Sequence, residues 1–169
     1  MTNKTKTEGR RIKSVDQAFT IIDYVETEDG VTLSQIAEEL DMAVSTAHIH
    51  LSTLVQNGYL IKEDGKYRCS FKFLQKGGKK RDNTPLFQIA KPELDDLQDS
   101  TGEHTNLMVE EGDRMVQLYK SQGTETIDDD APIGKHFHRH VTAAGKAILA
   151  HQPKEVIDEY LSNEELPQY

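Results

Sequence analysis

The 169-residue chain has one cysteine, no tryptophan, five prolines, and aromatic residues at only 7% of its positions. A single thiol, Cys69, can form neither an internal disulfide nor a multi-thiolate metal site, which fits a reducing compartment. No run of about 18 apolar residues exists to cross a bilayer. The opening MTNKTKTEGRRIK has basic residues but lacks the apolar stretch that completes a signal peptide. The cytoplasm is therefore the expected location, away from membranes. No Ser/His/Asp order, Cys/His pair or acidic dyad stands out from the solvated carboxylates, so no catalytic residue is nominated and neither an enzyme nor a cofactor is expected. Gly145-Lys146 lacks the preceding glycine and following Ser or Thr of a phosphate loop.

What is present is charge, unevenly placed. The net charge is −9, yet residues 1–81 hold 13 Lys and Arg against 11 Asp and Glu, while residues 82–169 hold 7 against 18. A mildly basic N-terminal half can approach a polyanion that would repel the acidic C-terminal half. The acidic excess also suits a salt-loving organism, and most of these carboxylates read as a solvated face.

Along the chain, Val15, Ala18, Phe19, Ile22 and Val25 fall at helical spacing before Asp29-Gly30. TLSQIAEEL opens with Thr32 and has Gln35 three residues on, a capping-box start for a second helix with Ile36, Ala37 and Leu40 inward. Asp41 sits where the chain must turn sharply, and a third helix is expected from Val44 to Asn57, stopped by Gly58. YLIKEDGKYRC then places two short runs around Asp64-Gly65, a two-residue hairpin with Leu60 opposite Cys69 and Lys62 opposite Tyr67. Cys69 thus reads as a small core residue. Helix, helix, turn, helix, hairpin is the winged helix-turn-helix. QKGGKKRDNTP reads as a Gly-rich, charged linker. From Pro85 an apolar stripe of Leu86, Ile89, Leu94 and Leu97 runs to Gly102, with Pro92 expected to break or restart it. A hairpin about Glu111-Gly112-Asp113 starts a second, mixed domain, and HVTAAGKAILAHQ and PKEVIDEYL read as helices.

The third helix is where a winged unit would read DNA, yet it contains no Lys or Arg. With Ala47 at 0° and a step of about 100° per residue, Leu51 falls near 40° and Leu54 near 340°, the inward face. Ser45, Ile49, Ser52, Thr53 and Thr46 fall between about 140° and 260°, with His48 on one shoulder and His50 turned towards the packing side. Ser45 and Thr46 are expected to take phosphate or base contacts at the helix N-terminus, or else to serve only as caps. His48, Ile49, Ser52 and Thr53 are expected to sample base edges, Ile49 against thymine methyl groups. Attraction to phosphate then falls to Arg10, Arg11 and Lys13 before the first helix, to Lys66 and Arg68 on the wing, and to Lys72, Lys76, Lys79, Lys80 and Arg81. Solubility is the rival reading of each charge.

Three stretches resemble the IclR family of transcription regulators: the winged unit with Ser45-Thr46 followed by HLSTLVQNGYL, the TGE at Thr101 to Glu103, and HVTAAGKAILA from His140 to Ala150. The resemblance implies an α+β fold with an N-terminal winged helix-turn-helix, a linker helix and the first part of a GAF-like mixed α/β effector domain. The corresponding boundaries are a basic, disordered tail at 1–11, the winged unit at 12–75, the linker and linker helix at 76–100, and a truncated effector domain at 101–169. It also implies a homodimer or dimer of dimers on palindromic double-stranded DNA, and a small organic acid as effector, with the segment Thr142, Ala143 and Ala144 helping to line its pocket. Two departures stand out. The family often has Arg where this chain has Ile49, and its members usually continue well past Tyr169, which makes the chain either a fragment or a naturally short protein.

Two other readings remain to be weighed. HFHRH would place His136, His138 and His140 on one face if extended, inviting a metal with His104 or His151 added, but no nearby carboxylate ligand or second ligand motif accompanies them. Alternatively, the chain is a protein-interaction or dimerisation module that has lost effector sensing through its truncation.

Overall fold

The computed structural model describes residues 10–123, 131–163 and 166. The chain divides into two compact units, residues 1–76 and 77–169. No helix among the described residues is long and apolar enough to cross a membrane.

In the first unit, α1 (Lys13–Thr27) is followed by a two-residue strand β1 (Val31–Thr32), α2 (Leu33–Glu39), α3 (Val44–Gln56), and the strands β2 (Leu60–Glu63) and β3 (Lys66–Cys69). The capping box forms as its spacing predicts: the Gln35 amide donates to Thr32 Oγ1 and the Thr32 amide to Gln35 Oε1. Asp41 holds the turn between α2 and α3 at φ 47°, a left-handed conformation that Asp tolerates better than most residues. Asp64 and Gly65, both at positive φ, close the hairpin with Leu60 opposite Cys69 and Lys62 opposite Tyr67.

The core of this unit joins Ile21 and Val25 of α1, Ile36 and Ala37 of α2, Ala47, Leu51 and Leu54 of α3, and Val31, Leu60 and Tyr67 from the strands. Each fully buried aliphatic side chain here contributes about 1.5–3 kcal/mol. Cys69 is half-buried against this core, and desolvation raises its thiol pKa, with Glu26 and Asp23 adding to the effect.

Three expectations change in this part of the chain. The core face of α1 is centred on Ile21 and Val25, while Val15 and Phe19 are exposed, because α1 carries apolar residues on more than one side. Thr32 not only caps α2 but also belongs to β1, which pairs with β3 in a sheet of order β1-β3-β2. The linker is helical: α4 (Lys72–Asp82) runs through Gly77 and Gly78. Its start is anchored where the Lys72 amide donates to Ser70 Oγ and Phe73 packs on Tyr59 with ring centroids 5.2 Å apart. At its end Lys79, Lys80 and Arg81 face the negative pole of the helix dipole. The boundary between the two units falls within this helix.

The second unit continues with α5 (Pro85–Thr101), a hairpin of β4 (Thr105–Glu111) and β5 (Arg114–Ser121), β6 (His136–His138), a 3-10 turn (Arg139–Val141), α6 (Ala143–Ala150) and α7 (Lys154–Asn163). The three strands form an antiparallel sheet of order β4-β5-β6. Pro92 does not interrupt α5. Its missing N–H frees only the Gln88 carbonyl, on an exposed residue, while contacts on either side tie the helix to the sheet. Phe87 meets Tyr119 edge-on, the Thr105 hydroxyl donates to the Leu94 carbonyl, and the Tyr119 hydroxyl donates to Asp95.

Candidate nucleic-acid interface and ligand pocket

The turn at Asp41 and the burial of Ala47, Leu51 and Leu54 together decide which side of α3 faces outward. Ser45, His48, Ile49 and Thr53 are exposed, and Thr46, His50 and Ser52 are half-buried. The N-cap of α3 is Ala43, which makes no side-chain bond, so Ser45 and Thr46 occupy the second and third helical positions and are not caps. Thr53 donates its hydroxyl to the Ile49 carbonyl at 2.8 Å, which leaves its oxygen only as an acceptor for any outside group.

The nominated cations differ in how free they are. Arg10 and Lys66 are exposed. Arg11 meets Asp16 at 2.9 Å, an exposed pair that adds little to stability and can exchange for a phosphate. Arg68 is more committed: it lies 3.3 Å from Asp29 and 3.5 Å from Glu63, beneath Gly30, where a Cβ would come within 2.9 Å of its Nε. It braces the wing against the loop after α1. Lys72 donates to the Asn57 carbonyl and sits over the Tyr59 ring. Two exposed residues escape a reading that looks only for outward hydroxyls and charge clusters. Gln56 lies near 180° on the same helical wheel, and Lys62 stands on β2 with its ammonium over the Tyr67 ring.

The second unit holds a concavity of about 350 Å³. Met108, Ala131 and Phe137 form its apolar walls, and Asn106 and Gln117 bring carboxamides. Gln117 is buried, with its Nε2 donating to the Ala131 carbonyl. Thr142, Ala143 and Ala144 complete the lining at the start of α6. Thr142 caps that helix by accepting from the Gly145 amide at 3.0 Å, and Ala143 and Ala144 occupy its first two positions, whose N–H groups have no intrahelical acceptor. Gly145 is required here, because a Cβ would stand 2.1 Å from the Arg139 carbonyl oxygen. Arg139 is itself held, pairing with Glu110 at 2.9 Å and donating to the Gly112 carbonyl at 2.6 Å.

The extended run of histidines ends at His138, although the His140 ring stays 5.4 Å from that of His138. His136 and His138 lie on β6, but His140 falls in the 3-10 turn, where its ring nitrogen is 3.0 Å from the Tyr160 hydroxyl. Among the described residues no group of three or more His, Cys, Asp or Glu is placed to hold a metal ion.

The IclR helix-turn-helix domain matches residues 14–64, and the bacterial transcriptional regulator IclR C-terminal domain matches residues 79–169. The chain belongs to the IclR family. This IclR-family chain is 33% identical over 151 residues to the probable HTH-type transcriptional regulator ArcR of Halobacterium salinarum, covering 87% of the chain and 57% of that relative. It matches the crystal structure of Thermotoga maritima IclR with a TM-score of 0.76 at 30% identity, covering 92% of the chain and 64% of that protein. A third match is an IclR homolog from Microbacterium hydrocarbonoxydans, solved in complex with 4-hydroxybenzoate, with a TM-score of 0.71 at 25% identity, covering 91% of the chain and 65% of that protein. The Halobacterium relative is named as a transcriptional regulator, as is the family to which the matching C-terminal domain belongs. The chain spans roughly half the length of the curated relatives it matches.

Proposed function

We propose that this IclR-family chain binds operator DNA as a dimer, reading base edges with α3 and gripping phosphates with the wing and the start of α1, under control of a small organic acid. The observation that carries this reading is the uncovered outer face of α3, free of like charge, with Arg10 and Arg11 before α1 and Lys62 and Lys66 on the wing of the same unit. Ser45, Thr46, His48, Ile49, Ser52 and Thr53 supply the reading surface. Arg68 acts chiefly by holding the wing in place. Dimerisation is supported by Ile12, Val15 and Phe19, which stay exposed at the start of α1 and along it and form an apolar patch that a second copy would cover.

The effector role rests on the concavity beside α6. The free N–H groups of Ala143 and Ala144 suit a carboxylate, and Met108 and Phe137 suit its hydrocarbon part. The 4-hydroxybenzoate bound by the Microbacterium homolog is an acid of this kind.

Gel-shift titration of the full chain at several salt concentrations tests the DNA-binding reading. A dimer making about 6 to 10 phosphate contacts loses roughly 10³- to 10⁵-fold in affinity between 50 and 200 mM salt. Failure to bind duplex DNA, or binding indifferent to salt, would refute it.

A further inference from the structure

The thirteen residues of α3 include no Asp, Glu, Lys or Arg. Its outermost line is Ser45, Ile49, Ser52 and Gln56, which fall within about 60° of one another on the helical wheel and so form one stripe along the helix axis. Ile49 is 65% exposed, with no other large apolar side chain on the stripe to pack against. The Gln56 side chain is also exposed, and no hydrogen bond within the described residues engages its carboxamide.

Base-edge chemistry narrows what this stripe can recognise. Guanine is usually read by the paired donors of Arg or Lys, and cytosine by a carboxylate accepting from its amino group. The stripe offers neither. A carboxamide matches adenine, donating to N7 and accepting from the N6 amino group, and a branched alkyl group matches the thymine methyl. Ser45 and Ser52 carry hydroxyls that fit any base. His48, on the shoulder, can give one hydrogen bond to N7 of either purine, so it locates a purine without choosing between them.

We propose that α3 reads A·T pairs at two positions in each half-site, with Ile49 against a thymine methyl and Gln56 on an adenine edge. This rests on the DNA-binding role proposed above. Seven helical residues separate the two side chains, a rise of about 10.5 Å. At about 3.4 Å per base pair, the two positions lie about three pairs apart when the helix follows the groove. The remaining discrimination then comes from hydroxyl contacts and DNA shape, and the attraction comes from cations placed off the helix.

The test begins with selection of duplexes from a random pool by the full chain, followed by affinity measurements on the enriched site with single modified bases. Deoxyuridine removes only the thymine methyl, and 7-deazaadenine removes only the N7 acceptor. At the Ile49 position, deoxyuridine is expected to weaken wild-type binding about fourfold, the worth of one buried methyl, and to leave Ile49→Ala unaffected. At the Gln56 position, 7-deazaadenine is expected to weaken wild-type binding about fivefold or more, and to leave Gln56→Ala unaffected. An enriched site that is indifferent to both modifications, or that holds G·C at these positions, overturns the A·T assignment while leaving the DNA-binding role intact. Absence of any duplex binding overturns the role itself and the assignment with it.

Discussion

Replacing Gly145 with Ala tests the packing that shapes the concavity beside α6. Judged by helix propensity alone, the change in the first turn of α6 would stabilise, since Gly is about 1 kcal/mol worse than Ala in a helix. The structure reverses the sign. An added Cβ would stand 2.1 Å from the Arg139 carbonyl oxygen and 2.7 Å from its Cα, both far inside van der Waals contact. Arg139 cannot easily retreat, because its guanidinium is tied to Glu110 and to the Gly112 carbonyl, and lies 5.7 Å from the centre of the Tyr160 ring. Relief therefore requires α6 and the preceding turn to separate by about 1 Å or more, an overpacking cost of about 1–3 kcal/mol. For a unit of this size the melting temperature should fall by about 4–24 °C, and Thr142, Ala143 and Ala144 would shift with the helix. Thermal unfolding followed by circular dichroism measures this directly. A Gly145→Ala protein that melts at or above the wild-type temperature would show that the close approach is not as described.

Other expected outcomes follow from the same geometry. Gly78→Ala, in the interior of α4 with nothing within 4 Å of the new Cβ, should stabilise by about 1 kcal/mol in chemical denaturation. Lys66→Ala should reduce the slope of log affinity against log salt by about one for each copy that contacts DNA, whereas Arg68→Ala should lower the melting temperature as well, since Arg68 also braces the wing through Asp29 and Glu63. Asp95 is held below the ordinary carboxylate pKa by hydrogen bonds from Lys91 and then Tyr119. Its contribution to stability is therefore present above the unfolded carboxylate pKa and lost as pH falls through the lower, folded value. Lys91 is raised, chiefly by the same bond to Asp95, so its share is present below the ordinary lysine pKa and lost as pH rises through the higher, folded value. Asp95→Asn should flatten the acid limb of a plot of melting temperature against pH; an unchanged limb would argue against the network.

The first unit was largely legible because its signals are local. The 100° step that sets Ala47, Leu51 and Leu54 inward agrees with their burial, and the Asp64-Gly65 turn fixes the register of the wing. Ambiguity entered where local signals conflict or vanish. The apolar residues of α1 lie on more than one side, so their spacing could not show that Ile21 rather than Phe19 is buried. Gly77 and Gly78 imitate a linker, although the residues around them favour a helix. The two residues of β1 become a strand only through pairing with β3, a partner distant in sequence. Of the residues that line the concavity beside α6, only Thr142, Ala143 and Ala144 were nominated from the sequence, through family resemblance. Its other walls, such as Met108, Gln117 and Phe137, come from separate strands that no local pattern brings together.

Whether the outer face of α3 lies against DNA is tested most directly by Ile49→Glu. Ile49 is 65% exposed, so the substitution should shift stability by no more than about 0.5 kcal/mol. A carboxylate facing the polyanion should nevertheless weaken binding to a selected duplex by about tenfold or more at low salt. Unchanged affinity in a variant that melts like the wild type would place the DNA elsewhere and contradict the account.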